Sequence, residues 1–376
     1  MRKINPIIQW WVTPKLPVQD IFKLPLLMDK SLFGKIIHLF SQWLIHPVKR
    51  RLARWYLKIL QKFTGIKVVG VTGSAGKSTT VQMIASILRQ SVRVTATPPS
   101  IDPIYNVPNT ILRCLPGTKF LILEMSVEYP GEMDYYLWLA RPDIGVITNI
   151  FPAHTEFLGS INGVLKEKSK LVLSLAKNGT AVLNEADFRL KSLKNKIKAK
   201  TVWFNGENSV AARAVAEIFD IPAGNIEKGL KNYVHPRHRL EITTLKSGAL
   251  VLDDSYNSNP EALLATLRKF NELAGRGVKI AVLGDMKELG KIEESEHRRV
   301  GREIAKSSFS VVIGVGTTIG FLLEEVSKSP KRTETHLFSK EEEVFPALEP
   351  LLKKGVYVLI KGSRSIGLDK VVAELV

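Results

Sequence analysis

Residues 71–80 read Val-Thr-Gly-Ser-Ala-Gly-Lys-Ser-Thr-Thr. A glycine-rich turn between a strand and a helix points successive backbone N–H groups at a phosphate chain, at the positive end of the helix dipole. The long form of such a loop, G-x-x-x-x-G-K-[ST], needs a glycine where Val71 stands, so this is a shorter form, Thr72-Gly73-x-x-Gly76-Lys77-Ser78. The pattern predicts an ATP or GTP site made by Thr72, Gly73, Ser74, Ala75, Gly76, Lys77, Ser78 and Thr79. In such a site Lys77 neutralises β- and γ-phosphate oxygens, and the Ser78 hydroxyl ligates Mg²⁺.

Other residues with chemistry stand where apolar runs end. Glu124 closes "FLILEMS", and His154 follows "GVITNI". A carboxylate within a sheet is unfavourable unless it pairs or coordinates, and ligands collect at the C-terminal ends of parallel strands. The residues alone leave open a helix-start charge for Glu124 and a capping or loop role for His154. Further on, Asp253-Asp254-Ser255-Tyr256-Asn257 ends another apolar strand. Asp254 and Asn257 there either face a ligand or form an Asx-type turn capping the helix from Pro260. In "KGSRS" a helix again follows a strand, which offers Lys361, Ser363 and Arg364 to an anionic substrate group, while His297 reads as a packing or capping residue.

These positions need a frame of strands and helices. From residue 67, apolar strands "KVVGVTG", "KFLILEMS", "DIGVITNI", "TAVLN" and "TVWFN" alternate with helical segments, including Lys77 to about residue 89 and 161–176. After "HPRHRLE" a second block begins, with strands "ALVLDDSY", "KIAVLGDM", "SVVIGVG" and "VYVLIKGS" and helices starting near Pro260, Glu293, Thr317, Lys340 and Ser365. Such alternation predicts an α/β chain with parallel sheets covered on both faces. The expected organisation is a basic amphipathic helical segment over 1–65, a central P-loop ATPase-like domain over 66–236 and a C-terminal Rossmann-like domain over 237–376.

The net charge of +18 is uneven, because residues 1–67 hold 13 Lys and Arg against only Asp20 and Asp29. Four of the six tryptophans, Trp10, Trp11, Trp43 and Trp55, lie in the same stretch. Residues 1–30 are punctuated by Pro6, Pro14, Pro17 and Pro25 and read as irregular. Two apolar stripes follow. The first is Leu32, Phe33, Ile36, Ile37, Phe40, Trp43 and Leu44, with Pro47 expected to end that helix. The second is Leu52, Trp55, Tyr56, Ile59, Leu60 and Phe63 among Arg50, Arg51, Arg54, Lys58 and Lys62. A basic helix with interfacial tryptophans suits an anionic membrane face; docking on the next domain is an equal alternative, and nucleic acid is the least favoured partner. The run lengths predict neither a membrane-spanning helix nor a signal peptide. The single Cys114, between Leu112 and Leu115, excludes a disulfide framework and reads as a small buried apolar residue.

Taken in order, Thr-Gly-x-x-Gly-Lys-Ser, Glu124, "TNIFPAH" (148–154) and "KEKSK" (166–170) resemble the central domain of the Mur ligases. "HRLE", "DDSYNSNPEAL", "LGDMKELG", "HRRVG" and "KGSRS" resemble most closely that family's D-alanyl-D-alanine-adding branch. The resemblance covers roughly residues 66–376. It implies an ATP-dependent, amide-bond-forming enzyme of peptidoglycan assembly. Lys77 and Ser78 fall on its phosphate-binding lysine and Mg²⁺-binding hydroxyl, Glu124 and His154 on Mg²⁺ ligands for two ions, and Lys168 on a carbamylated lysine. Arg239 resembles the arginine that reaches ATP on domain closure, and Asp254 and Asn257 fall on a nucleotide-contacting loop.

The implied partners are ATP, an anionic peptide precursor (UDP- or lipid-linked) and D-Ala-D-Ala, in the cytoplasm or on the inner face of the plasma membrane. The implied chemistry runs through an acyl-phosphate. Two departures from the family pattern stand out. The 65 residues before the loop leave no room for the usual UDP-binding domain, and after "TVWFN" the chain passes directly to "GENSVAARAVAEIF", with Glu207 where histidine is usual. Alternatives within reach are a Mur-like ligase with another product, such as a polyglutamate, and a non-catalytic nucleotide-binding scaffold on a membrane.

Overall fold

A computed structural model of the chain describes residues 31–99, 103–330 and 333–376. The Pro-punctuated stretch 1–30, with Trp10 and Trp11, lies outside the described residues, as do the side chains of Ile37 and Trp43. The chain divides into two compact units, one comprising 31–150 with 157–233 among the described residues, the other 151–156 with 234–376. Only helices of eight or more residues are numbered below.

The first unit opens with a continuous helical rod: α1 (Leu32–Phe40), a π-helical turn Ser41–Ile45 and α2 (His46–Thr64). Pro47 does not end the first helix as the sequence suggested. It sits in the first turn of α2, directly after the π turn. There the widened backbone ladder tolerates a residue without an N–H. Gly65, at φ 64°, terminates α2 in the left-handed conformation glycine adopts without strain.

The expected alternation then appears: β1 (Lys67–Thr72), α3 (Lys77–Leu88), β2 (Val94–Ala96), α4 (Pro103–Leu112), β3 (Phe120–Glu124), α5 (Glu132–Leu139), β4 (Ile144–Ile147), α6 (Ile161–Leu173), β5 (Thr180–Asn184), β6 (Lys200–Phe204), α7 (Asn208–Ile218) and α8 (Ala223–Lys231). The six strands form one parallel sheet in the order β2-β3-β1-β4-β5-β6. Side chains alternate across β1, so Val68 joins the core under α2, α4, α5 and α6, while Val69 and Val71 join the core under α3, α7 and α8. Gly70 and Gly145 lie on the α6 side. A Cβ at Gly70 would stand 3.0 Å from Leu171, and one at Gly145 would stand 3.2 Å from the same side chain. Their bareness lets α6, the helix that carries Lys168, press against the sheet.

The face of α2 that docks on this unit is Pro47, Arg50, Ala53, Leu57 and Leu60, supported by a hydrogen bond from Tyr56 Oη to the Cys114 carbonyl (2.5 Å) and by Arg54 stacked 4.5 Å from the Trp138 ring. Full burial of Leu57 and Leu60 stabilises by roughly 1.5–3 kcal/mol each. The expected stripe of Leu52, Trp55, Tyr56, Ile59, Leu60 and Phe63 is therefore divided, since Leu60 is buried and Leu52, Trp55 and Phe63 are exposed. Cys114 is buried, as its apolar neighbours suggested, and burial pushes its thiol up to about 11.

The second unit holds β7 (Glu241–Thr244), β8 (Leu250–Asp253), α9 (Pro260–Ala274), β9 (Val278–Gly284), α10 (Glu293–Lys306), β10 (Val311–Val315), α11 (Gly320–Ser327), β11 (Glu334–Phe338), β12 (Val356–Lys361) and α12 (Leu368–Leu375). Its sheet runs β11-β10-β9-β12-β8-β7, parallel except for β7, which pairs antiparallel with β8. One face is covered by α9, α10 and α11, and the other by α12 with the short helix Val344–Leu348.

Candidate active site

The phosphate loop is held in shape by the segment after β4. Ser74 N donates to the Asn149 carbonyl (3.0 Å), Ala75 N to Asn149 Oδ1 (2.8 Å), and Thr148 Oγ1 to the Ala75 carbonyl (2.6 Å). Asn149 Nδ2 adds a bond to the same carbonyl at 3.1 Å. Thr72 Oγ1 ties the end of β1 to the Met125 carbonyl at 2.6 Å. Two glycines are required outright. Gly73 has φ 151°, and a Cβ there would collide with Thr148 Oγ1. Gly76 has φ 78°, and a Cβ would run into the Asn208 side chain at the start of α7. The direct passage from β6 to α7 thus sets Asn208 against the loop. Gly76 precedes α3, whose first turn carries Lys77, Ser78 and Thr79 with their backbone N–H groups at the positive end of its dipole. Ser78 is buried, and Thr80 Oγ1 returns to the Gly76 carbonyl at 2.9 Å.

Glu124 is the last residue of β3, paired in register with Val71 beside the start of the loop. Its backbone N–H donates to Thr97 Oγ1 at 3.0 Å, so β2 and its continuation fix the strand end. Lys168 on α6 is fully buried, with its amine 3.4 Å from the Val127 carbonyl. Burial, and then the nearby charge of Lys77, lower its pKa from 10.5 to about 7, against the opposing pull of Glu132, Glu128 and Glu167. Two of those acids are themselves anchored to the β3–α5 connection. Glu132 accepts from Glu128 N (2.6 Å) and Tyr129 N (3.1 Å), and Glu167 accepts from Gly131 N (2.9 Å) and Met133 N (3.2 Å). The outcome is a buried amine that is half uncharged near neutrality.

In the second unit, His154 is nearly buried with φ 56°, and its Nδ1 lies 2.5 Å from Glu288 Oε2. Thr155 Oγ1 donates to the Leu289 carbonyl (2.9 Å) and Glu156 N to the Glu288 carbonyl (3.1 Å). These bonds orient the imidazole, and a carboxylate on Nδ1 leaves Nε2 as the nitrogen able to meet a metal.

Arg239 stands between His238 and Leu240, both at positive φ (60° and 54°). Backbone strain of that kind gathers at functional sites. The turn is secured by His238 Nδ1 against Asp253 Oδ2 (2.7 Å) and by Tyr256 N donating to the His238 carbonyl (3.1 Å). The Arg239 guanidinium lies 4.1 Å from the centre of the Tyr256 ring and that of Arg364 5.9 Å, so one aromatic ring organises two cations.

The three residues of "KGSRS" separate in role. Lys361 is buried and bonds Asp254 Oδ2 (2.5 Å) and the Asn257 carbonyl (2.9 Å), so it shapes the loop from inside instead of facing a substrate anion. Ser363 is buried too and accepts from Lys287 N at 2.9 Å. Arg364 alone of the three is exposed, paired with Asp369 at 2.8 Å. The cap of α9 is Asn259, whose side chain accepts from Ala262 N at 2.9 Å, so neither Asp254 nor Asn257 is needed for capping. Asn257 is exposed, whereas the Asp254 carboxylate is bound by Lys361 and Thr266. His297 packs inside, donating from Nδ1 to the Glu293 carbonyl and accepting Met286 N at Nε2.

The Mur ligase middle-domain model matches residues 71–244, and the Mur ligase glutamate-ligase-domain model matches 238–364. The chain belongs to the Mur ligase family. A curated relative of this Mur ligase is the UDP-N-acetylmuramoyl-tripeptide–D-alanyl-D-alanine ligase of Bacillus subtilis, 29% identical over 363 residues, covering 87% of this chain and 79% of the relative. Among solved structures, MurF from Acinetobacter baumannii shares the fold with a TM-score of 0.79 at 24% identity, over 88% of this chain and 80% of that one. The MurF ligase of Thermotoga maritima in complex with ADP gives a TM-score of 0.75 at 25% identity, over 88% and 83% of the two chains.

Three residues of this Mur ligase escaped the sequence reading. Thr148 and Asn149 lay in plain view in "TNIFPAH", where a hydroxyl and an amide directly after an apolar strand are suited to binding a neighbouring loop. Glu288 lay in "LGDMKELG", but nothing local ties it to His154, 134 residues away.

Proposed function

We propose that this Mur ligase is an ATP-dependent peptide ligase of peptidoglycan precursor synthesis that adds D-Ala-D-Ala to the carboxylate of an anionic, UDP- or lipid-linked peptide. The observation that carries this reading is the fully buried Lys168 in the unit that holds the phosphate loop, its amine against the Val127 carbonyl and its pKa lowered by burial and by the charge of Lys77. A generic nucleotide-binding domain has no use for such an amine. An uncharged amine attacks CO₂ and loses a proton to become a carbamate, exchanging a cation for a carboxylate-like anion.

Mg²⁺ prefers oxygen donors, and in the first unit the buried Ser78 hydroxyl, the strand-end carboxylate of Glu124 and a carbamylated Lys168 would supply them, while His154 offers a nitrogen donor on the second unit. When bound, two such ions neutralise phosphate charge. The remaining chemistry belongs to the chain. With the Ser74 and Ala75 N–H groups engaged by Asn149, those of Gly73, Gly76, Lys77 and Ser78 bind the phosphates, and Lys77 offsets charge on the β and γ oxygens as the acceptor carboxylate attacks the γ-phosphorus. ADP leaves and an acyl-phosphate remains. The amine of D-Ala-D-Ala attacks the acyl carbon, and the tetrahedral adduct expels phosphate as the amide forms. Arg239, with Asn257, contacts the nucleotide, and Arg364 meets an anionic substrate group. The place of work on this reading is the cytoplasm, with the basic helical rod at the anionic inner membrane face.

The test is ADP release with UDP-linked and lipid-linked peptide acceptors, each with and without D-Ala-D-Ala. Turnover that needs both acceptor and amine supports the ligase; nucleotide binding without acceptor-stimulated turnover refutes it. Lys168→Ala should abolish ligation and regain part of it with formate or acetate.

A further inference from the structure

The helical rod of residues 32–64 has two faces, and the docked one is the less apolar. Opposite Arg50, Ala53, Leu57 and Leu60, the rod exposes Phe33, Ile36, Phe40, Leu52, Trp55 and Phe63, with Trp55 at 64% and Phe63 at 74%. Leu44 and Val48 continue the line between Phe40 and Leu52 at four-residue steps, which a straight α-helix would rotate away. The π turn Ser41–Ile45 takes more residues per revolution and offsets that drift. Scattered surface hydrophobics need no explanation, but a contiguous stripe along a whole rod marks an interaction surface. Its charge narrows the partner. Residues 31–64 contain no Asp or Glu, and Arg51, Lys58 and Lys62, seven and four residues apart, follow one edge of the stripe.

We infer that this stripe is a lipid-contacting surface: the rod lies in the headgroup layer of an anionic bilayer, Trp55 and Phe63 reaching the acyl boundary, with Arg51, Lys58 and Lys62 at lipid phosphates. Aliphatic and aromatic residues on one side with cations at the edge match a bilayer interface. A nucleic-acid site would set aromatic rings within a basic groove instead. The other face of α2 stays on its own unit, so binding needs no refolding. This surface deepens the peripheral location proposed above and is independent of the ligase chemistry.

The test is flotation of the full chain with vesicles of phosphatidylcholine alone or mixed with phosphatidylglycerol. Wild type should bind the anionic vesicles, less so at high salt, and neutral vesicles weakly. Leu52→Ser/Trp55→Ser/Phe63→Ser should lower partitioning at least roughly tenfold. Lys58→Gln/Lys62→Gln should lower it roughly tenfold on anionic vesicles only. Both variants should keep the wild-type melting temperature and ATP affinity, since none of these side chains is in the docked face. The inference is overturned if wild type stays unbound, if the triple variant floats as wild type does, or if the stripe serves nucleic acid or a second copy of the chain without vesicle binding. Ligation with a soluble acceptor, run on the same preparations, separates the two readings. Lost flotation with turnover intact removes only the lipid surface, and flotation without turnover in any variant removes only the ligase.

Discussion

Lys361 Nζ lies 2.5 Å from Asp254 Oδ2, and Thr266 Oγ1 reaches the same oxygen at 2.6 Å. The pair joins the end of β12 to the loop after β8 from inside the unit. Removing Lys361 leaves the part-buried Asp254 carboxylate with Thr266 but without its counter-charge, which costs about 1–3 kcal/mol. Lys361→Met should lower unfolding free energy by about that amount in urea titrations. The double change Lys361→Met/Asp254→Leu should recover most of the loss. A loss below ~1 kcal/mol in the single variant would show that the ion pair carries little stability.

Asn149 holds the phosphate loop through both ends of its side-chain amide. Asn149→Ala leaves Ala75 N without its acceptor and loosens the loop around phosphate, a loss of about 1–3 kcal/mol, or roughly 5- to 150-fold in ATP affinity. Calorimetric titration with ATP reads this directly. Asn149→Asp keeps the acceptor oxygen but sets a negative charge beside the phosphates, and should bind no better than Asn149→Ala.

Much of this arrangement is legible in the residues. β1, β3 and β4 are apolar runs too hydrophobic for a solvated face, and the Gly-Lys-Ser turn at the end of β1 has one chemical use. β2 and β11 are harder to see. Val94–Ala96 is three residues long, and Glu334–Phe338 is an edge strand that opens on three consecutive polar residues. The docked face of α2 is hidden for a different reason. It is made by Arg50 and Ala53 as well as leucines, while larger hydrophobics such as Trp55 stay outside, so hydrophobicity alone selects the wrong side. Pairs such as His154–Glu288 and Lys361–Asp254 depend on tertiary proximity that no local pattern encodes.

The lowered pKa of Lys168 sets a direction for stability with pH. The folded chain disfavours the charged amine relative to the unfolded chain, where the ordinary value near 10.5 applies. The destabilisation is complete below about 7, declines as pH rises from there and vanishes above 10.5. Lys168→Met should therefore raise the melting temperature most below about pH 7, with the advantage shrinking on the alkaline side. At fixed dissolved CO₂, a ¹³C carbamate resonance in labelled bicarbonate should grow as pH passes about 7 and be missing from Lys168→Met.

Glu288 positions His154 through Nδ1. Carboxylates behind a metal-binding histidine typically change metal affinity by about 10- to 100-fold. Glu288→Gln should weaken Mn²⁺ binding in the presence of ATP by that order, read by electron paramagnetic resonance, while ATP binding without metal stays as in wild type. Equal loss in both measurements would assign Glu288 a structural role only.

The amine under α6 also bears on how samples are handled. On the carbamate reading proposed above, a buried amine with a lowered pKa would exchange with dissolved CO₂. Protein purged with argon and protein kept in bicarbonate would then differ in covalent composition at one side chain. Specific activity would follow the history of the buffer, and rates compared between preparations would need the same atmosphere.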